Sequence, residues 1–153
     1  MKLWMVFVLV TVVCWGAYVP TLHTGQKALG KDSALRAFLF VGLAYLIVSI
    51  VVIAYLKFSG AEPLEFTRKG GFISTFAGIL GAVGALGIVF ALRKTSGGHP
   101  LVVAPLVFAG APIVNTLVSM MLHKPANAPN PLFYAGIVVA AAGAALVLKF
   151  KPM

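Results

Sequence analysis

The chain has 153 residues, 61% of them hydrophobic and 10% charged, with a mean hydropathy of +1.03. An ordinary soluble domain carries roughly 25% charged residues, so this chain has too little polar surface to cover a water-soluble core, and lipid is the implied solvent. The formal net charge is +9. Its twelve Lys and Arg fall between apolar runs rather than in a basic stripe interleaved with aromatics. That placement suits anchoring at lipid headgroups and argues against nucleic-acid binding.

A helix that crosses a hydrocarbon core of about 30 Å needs about 20 apolar residues. The first run starts at Leu3 and is unbroken to Val19. It is expected to continue past Pro20, as a kinked helix, to about Thr24. The second runs from Ala37 to Leu56, the third from Gly71 to Leu92, the fourth from Leu101 to Leu122 and the fifth from Leu132 to Leu148. Nearly all the charge lies in the breaks: Lys27, Lys31, Asp32 and Arg36; Lys57, Glu62, Glu65, Arg68 and Lys69; Arg93 and Lys94; His123 and Lys124; then Lys149 and Lys151. Backbone groups in lipid must be satisfied within their own segment, so runs of this length are expected to be helices. The expected fold is an all-α membrane protein, a bundle of about five transmembrane helices in a single transmembrane domain, 1–153.

Lys2 followed by apolar residues has the start of a secretory leader. No A-x-A site follows, however, and Thr11-Val12-Val13-Cys14 lacks the small residue that a lipobox places before its Cys. The first run is therefore read as a retained span. Cys14 is the single cysteine, so no intramolecular disulfide is possible, and it reads as a small apolar side chain. The longest break, Lys57 to Lys69, is too short to fold alone. Any activity is expected within the membrane or at its faces. The compact loops suit a bacterial inner membrane.

Five spans would place the two ends of the chain on opposite sides. Lys2, Lys57, Arg68, Lys69 and Lys124 then share the N-terminal side, against Lys27, Lys31, Arg36, Arg93, Lys94, Lys149 and Lys151 on the other. The positive-inside rule acts through a clear imbalance. Here it favours a cytoplasmic C-terminus only weakly, so both a single topology and insertion both ways round stay open.

The third run carries Gly78, Gly81, Gly84 and Gly87, with Ala82 and Ala85 between them. The fifth carries Gly136, Gly143 and the alanines from Ala140 to Ala145. Bands of small residues let a neighbouring backbone come close, within one chain or between two. Pro20, Pro105 and Pro112 each remove a backbone donor at or near membrane depth. Such positions serve either as packing kinks or as the breaks that line transporter cavities.

Few polar residues lie inside the runs. Asn115 is the most telling, because an amide in hydrocarbon is costly unless it is bonded. It reads either as glue between helices or as a ligand contact. Trp15 and Tyr18, three apart, share a helix face, and Ser74 opens the third run. Trp15, Tyr18, Ser74 and Asn115 are the candidate substrate-binding residues. Trp4 and Tyr134 lie near the ends of their runs and read as interfacial anchors.

All three acids, Asp32, Glu62 and Glu65, fall outside the spans. A proton-coupled cation exporter usually relies on a membrane carboxylate, so an uncharged or anionic substrate, or uncoupled transport, is expected. The sequence has no phosphate-cradling glycine loop with lysine, no HExxH and no CxxC. His23, His99 and His123 are scattered at helix ends and read as interface residues rather than metal ligands. No enzyme activity, cofactor or metal is expected.

Trp15-Gly16 in the first run resembles the "WG" of the EamA-like branch of the drug/metabolite transporter superfamily. Ala91-Leu92-Arg93-Lys94-Thr95-Ser96, the following apolar run with Pro112 near its middle, Leu122 at its end, and Gly136 and Gly143 in the last run resemble the last three helices of one EamA unit. The resemblance covers Gly71 to Leu148 best. Usual members hold two inverted five-helix halves, so the resemblance implies that this chain is one half. It would pair with a second copy or with a sister subunit. Many members place an acid where the fourth helix ends; here Leu122 is followed by His123 and Lys124, and residues 125–131 lengthen that turn.

The expectation is a transporter subunit for a small solute, working as a dimer by alternating access in the lipid bilayer. The alternative is a non-transporting membrane scaffold or assembly subunit of a larger complex.

Overall fold

The computed structural model describes residues 2–31, 33–123 and 127–151. Asp32, Lys124 and the next two residues, 125 and 126, lie outside them. Among the described residues five α-helices follow one another: α1 (Leu3–Ala28), α2 (Ala34–Ser59), α3 (Arg68–Ala91), α4 (Pro100–Leu122) and α5 (Pro131–Lys149). A 3-10 turn, Lys94–Ser96, sits between α3 and α4. All five helices are long and apolar enough to cross a membrane. The shortest has 19 residues and the longest 26, or roughly 29 to 39 Å of helix axis. The chain is thus an all-α membrane protein.

The helices extend the apolar runs by a few residues at most ends. Lys27, Arg36, Lys57, Arg68, Lys69 and Lys149 all fall in terminal turns. There, long basic side chains keep their stems on apolar surface while the charge reaches water. Both helices with interior prolines are continuous: α1 runs through Pro20, and α4 through Pro105 and Pro112.

The helix ends are chemically marked. Thr67 Oγ1 accepts from Gly70 N–H (3.2 Å) to cap α3, and Asn130 Oδ1 accepts from Leu132 N–H (2.9 Å) to cap α5. His99 Nδ1 accepts from Leu101 N–H (3.3 Å) at the start of α4. Pro100 and Pro131 open the first turns of α4 and α5, where a missing N–H does no harm. Gly60 closes α2 in the left-handed region (φ 61°), donating to Leu56 O.

The chain divides into two compact units. One comprises 1–20 and 98–153; the other comprises 21–97. In the first, α4 and α5 pack together as consecutive helices, and the first part of α1 meets α4 through Trp15 and Phe108. In the second, α2 packs on α3. The last turns of α1 are tied to α3 by Gln26, whose Nε2 donates to Val89 O (2.9 Å). Leu22, Ala34, Ala37, Ile88, Val89 and Leu92 are the buried apolar residues of that unit.

Most of each helix surface is exposed, and no described residue of α4 or α5 is buried. In a membrane that surface is covered by lipid or by a partner, since lipid tails are as apolar as the side chains. The glycine bands belong to it. A Cβ added at Gly78, Gly81, Gly84, Gly87, Gly136 or Gly143 would meet nothing within 4 Å. Each of these close-approach faces is open within its own unit.

Candidate functional site

Asn115 projects from α4 two turns before that helix ends. One turn on, at helical spacing, lie Ser119 and then His123. Together with Thr116 and Met120 they form one wall of a pocket of about 480 Å³. The opposite wall comes from the turn and from α5: Asn127, Pro129, Asn130 and Phe133. The pocket lies wholly within the first unit. It starts about 10 Å along the axis from the end of α4, so it runs from the membrane face into the span.

The described lining holds neutral hydrogen-bonding groups on an apolar base. It includes no Asp, Glu, Lys or Arg; His123 is its one titratable side chain. Asn130 is committed through Oδ1 to the α5 cap, which leaves its NH₂ as donor. Phe133 stacks edge-on against Tyr134, with centroids 5.7 Å apart, and that contact steadies the apolar wall.

A second feature of the same unit lies further along α1 and α4. Trp15 and Tyr18 are 6.2 Å apart, tilted by 46°. Trp15 also meets Phe108 edge-on, with centroids 6.2 Å apart. Phe108 and Asn115 are seven residues apart on α4 and so share a face. The aromatic cluster therefore lies on the Asn115 side of α4, about 10 Å deeper along the helix. Trp15 remains 45% exposed.

The four residues singled out from the sequence fall as follows. Trp15 and Tyr18 touch each other, and Asn115 lines the pocket. Ser74 is exposed on α3, in the other unit. Sequence reasoning missed Phe108, whose apolar run gives no cue to its contact. It also missed Asn127 and Asn130, although an Asn before Pro at a helix start is a readable cap signal. Among the described residues, no group of three or more His, Cys, Asp or Glu could hold a metal ion.

Compared with protein-family models, curated proteins and solved structures, the chain matches none of them.

Proposed function

We propose that the chain is a transporter subunit for a small solute and works as a pair, with a second copy or a sister subunit, by alternating access. The observation that carries this reading is the pocket at Asn115. Polar side chains are costly at membrane depth, and where they converge on a cavity they mark a solute path. The open glycine faces of α3 and α5 support pairing, because helices approach closely at small residues. The near balance of positive charge permits insertion in both orientations. The resemblance to a single EamA-like half points the same way, and a bacterial inner membrane suits the compact connections.

The substrate contacts assigned to the first unit are Asn115, Trp15 and Tyr18. Ser74, on α3, is a separate candidate. The test is solute flux into proteoliposomes made with the purified chain. Asn115→Ala is expected to reduce flux while pairing and yield stay intact, and Ser74→Ala is scored beside it. Unchanged flux in Asn115→Ala would remove the pocket from the path. A two-sided topology reporter fused after residue 153 tests the pairing. Signal from both sides fits an inverted homodimer, whereas signal from one side leaves a parallel dimer or an inverted sister subunit.

The open glycine faces equally suit a second reading, a scaffold or assembly subunit whose small-residue bands receive a foreign helix. Recovery from mild detergent only in company with unrelated membrane proteins would favour it.

A further inference from the structure

We propose that the pocket between α4 and α5 takes an uncharged solute that joins an apolar ring to an amide-like donor–acceptor group. The inference rests on reading that pocket as the solute site.

None of the described residues that line the pocket is an acid, a lysine or an arginine. An ion brought from water into such a site loses hydration and finds no Asp, Glu, Lys or Arg among the described lining residues to offset it. A neutral solute gives up only hydrogen bonds, and the pocket can replace these.

The polar groups are matched in type to an amide. Asn115 and Ser119 stand one turn apart on the same face of α4. Neither side chain is hydrogen-bonded among the described residues, in contrast to Thr11 and Ser49, whose hydroxyls return to their own helix backbones. Asn115 thus offers a full carbonyl and NH₂, and Ser119 a hydroxyl that gives and accepts. Asn130 adds NH₂ donors, since its oxygen is held by the α5 cap. Such a set bonds a group that carries both a donor and an acceptor.

The remainder of the wall fixes the other half of the solute. Phe133 presents a ring held by its contact with Tyr134, and Met120 is a polarizable neighbour suited to an aromatic face. The volume of about 480 Å³ falls in the range of roughly 300–1,000 Å³ that holds a compact organic solute.

Three ring-matched probes separate charge from shape: indole-3-acetamide (neutral), indole-3-acetate (anion) and tryptamine (cation). Binding is measured by equilibrium dialysis against the full chain in nanodiscs, with empty nanodiscs subtracted. The amide is expected to bind at least tenfold more tightly than either ion. Asn115→Ala should weaken the amide about tenfold, and Ser119→Ala severalfold, as a bond to a desolvated group is lost. Asn115→Asp keeps the shape and adds a negative charge, so it should turn the preference toward tryptamine.

An ion that binds as tightly as the amide overturns the proposal, as does amide binding indifferent to Asn115→Ala, or no binding of any probe by a chain of unchanged helicity. Amide binding without flux leaves the solute class standing and removes the transporter reading. Flux of the ions with the amide ignored does the reverse.

Discussion

The side-chain amide of Gln26, in the last turn of α1, donates to the carbonyl of Val89 at 2.9 Å, across 63 positions of sequence. Val89 lies in the final turn of α3, where carbonyls lose their partners within the helix. Leu92 N–H still reaches Ile88 O, whereas Arg93 N–H turns to Phe90 O. Gln26 thus serves as a cap delivered from another helix. Both residues are buried, Gln26 at 6% exposure and Val89 at 0%, so water cannot stand in for the bond.

Gln26→Leu should therefore destabilise the chain. The carbonyl of Val89 loses its donor in a dry setting, at a cost of about 1–2 kcal/mol. Gln26→Glu keeps the shape, but its carboxylate form sets an acceptor against the Val89 carbonyl, so it should cost more at alkaline pH than at acid pH, where the protonated carboxyl donates. Unfolding in mixed micelles reads both. Equal stability of Gln26→Leu and the parent would mean that the bond has no net worth.

Ser33 supports the same joint from the other side. Its hydroxyl donates to Gln26 O at 2.6 Å, and it is itself 6% exposed. Ser33→Ala removes one neutral bond and should cost about 1 kcal/mol. Because Ser33 and Gln26 share a network, the double variant should cost less than the sum of the two single ones. Simple additivity in the same unfolding assay would show that the two bonds act independently.

The glycines make opposite predictions within one helix. A Cβ at Gly70 would stand 2.8 Å from Thr67 Oγ1, the oxygen that caps α3. Gly70→Ala should push the cap apart and cancel the gain of up to about 1 kcal/mol that a Gly-to-Ala change brings in a helix. At Gly78 and Gly81 the added atom meets nothing within 4 Å. There the alanine variants should hold or raise the stability of the single chain, while Gly78→Leu and Gly81→Leu should lower the dimer fraction severalfold if that face seats a partner. Light scattering of the detergent complex measures the dimer, and an unchanged fraction would move the pairing face elsewhere.

All five helices were legible in the sequence because hydrophobic length alone announces a span, and their ends were legible only approximately. The expected end of the first helix near Thr24 gives way to Ala28. Hydropathy stops at the first polar cluster, whereas the helical hydrogen bonds run on through Gly25, Gln26 and Lys27. The shared face of Trp15 and Tyr18 followed from their spacing. The pairing of Gln26 with Val89 did not, since nothing local ties a helix end to a carbonyl 63 residues away. Lipid and protein interior are equally apolar, so an apolar stretch such as the one holding Phe108 does not announce which side meets a neighbour. Asn115 stood out by its cost in hydrocarbon, whereas its partners in the pocket, Asn127 and Asn130, lie in a stretch that hydropathy registers only as a break.

The contact between Trp15 and Phe108 provides the sharpest test of the first unit. Their rings meet at 75° with centroids 6.2 Å apart, a geometry in which one ring's positive edge faces the other's negative face. Such pairs add about 0.5–1.5 kcal/mol beyond the area they cover. Trp15→Ala and Phe108→Ala each also remove apolar contacts that have nothing to do with the pair, so neither single variant isolates it. A double-mutant cycle does. In a Trp4→Phe background, Trp15 is the sole indole, and its emission reports the same contact. The coupling energy should be about 0.5–1 kcal/mol, and Phe108→Ala should shift the Trp15 emission. A coupling near zero with no spectral shift would mean that α1 does not meet α4 at this point in the bilayer. The aromatic cluster would then lose its place on the face of α4 that leads to Asn115.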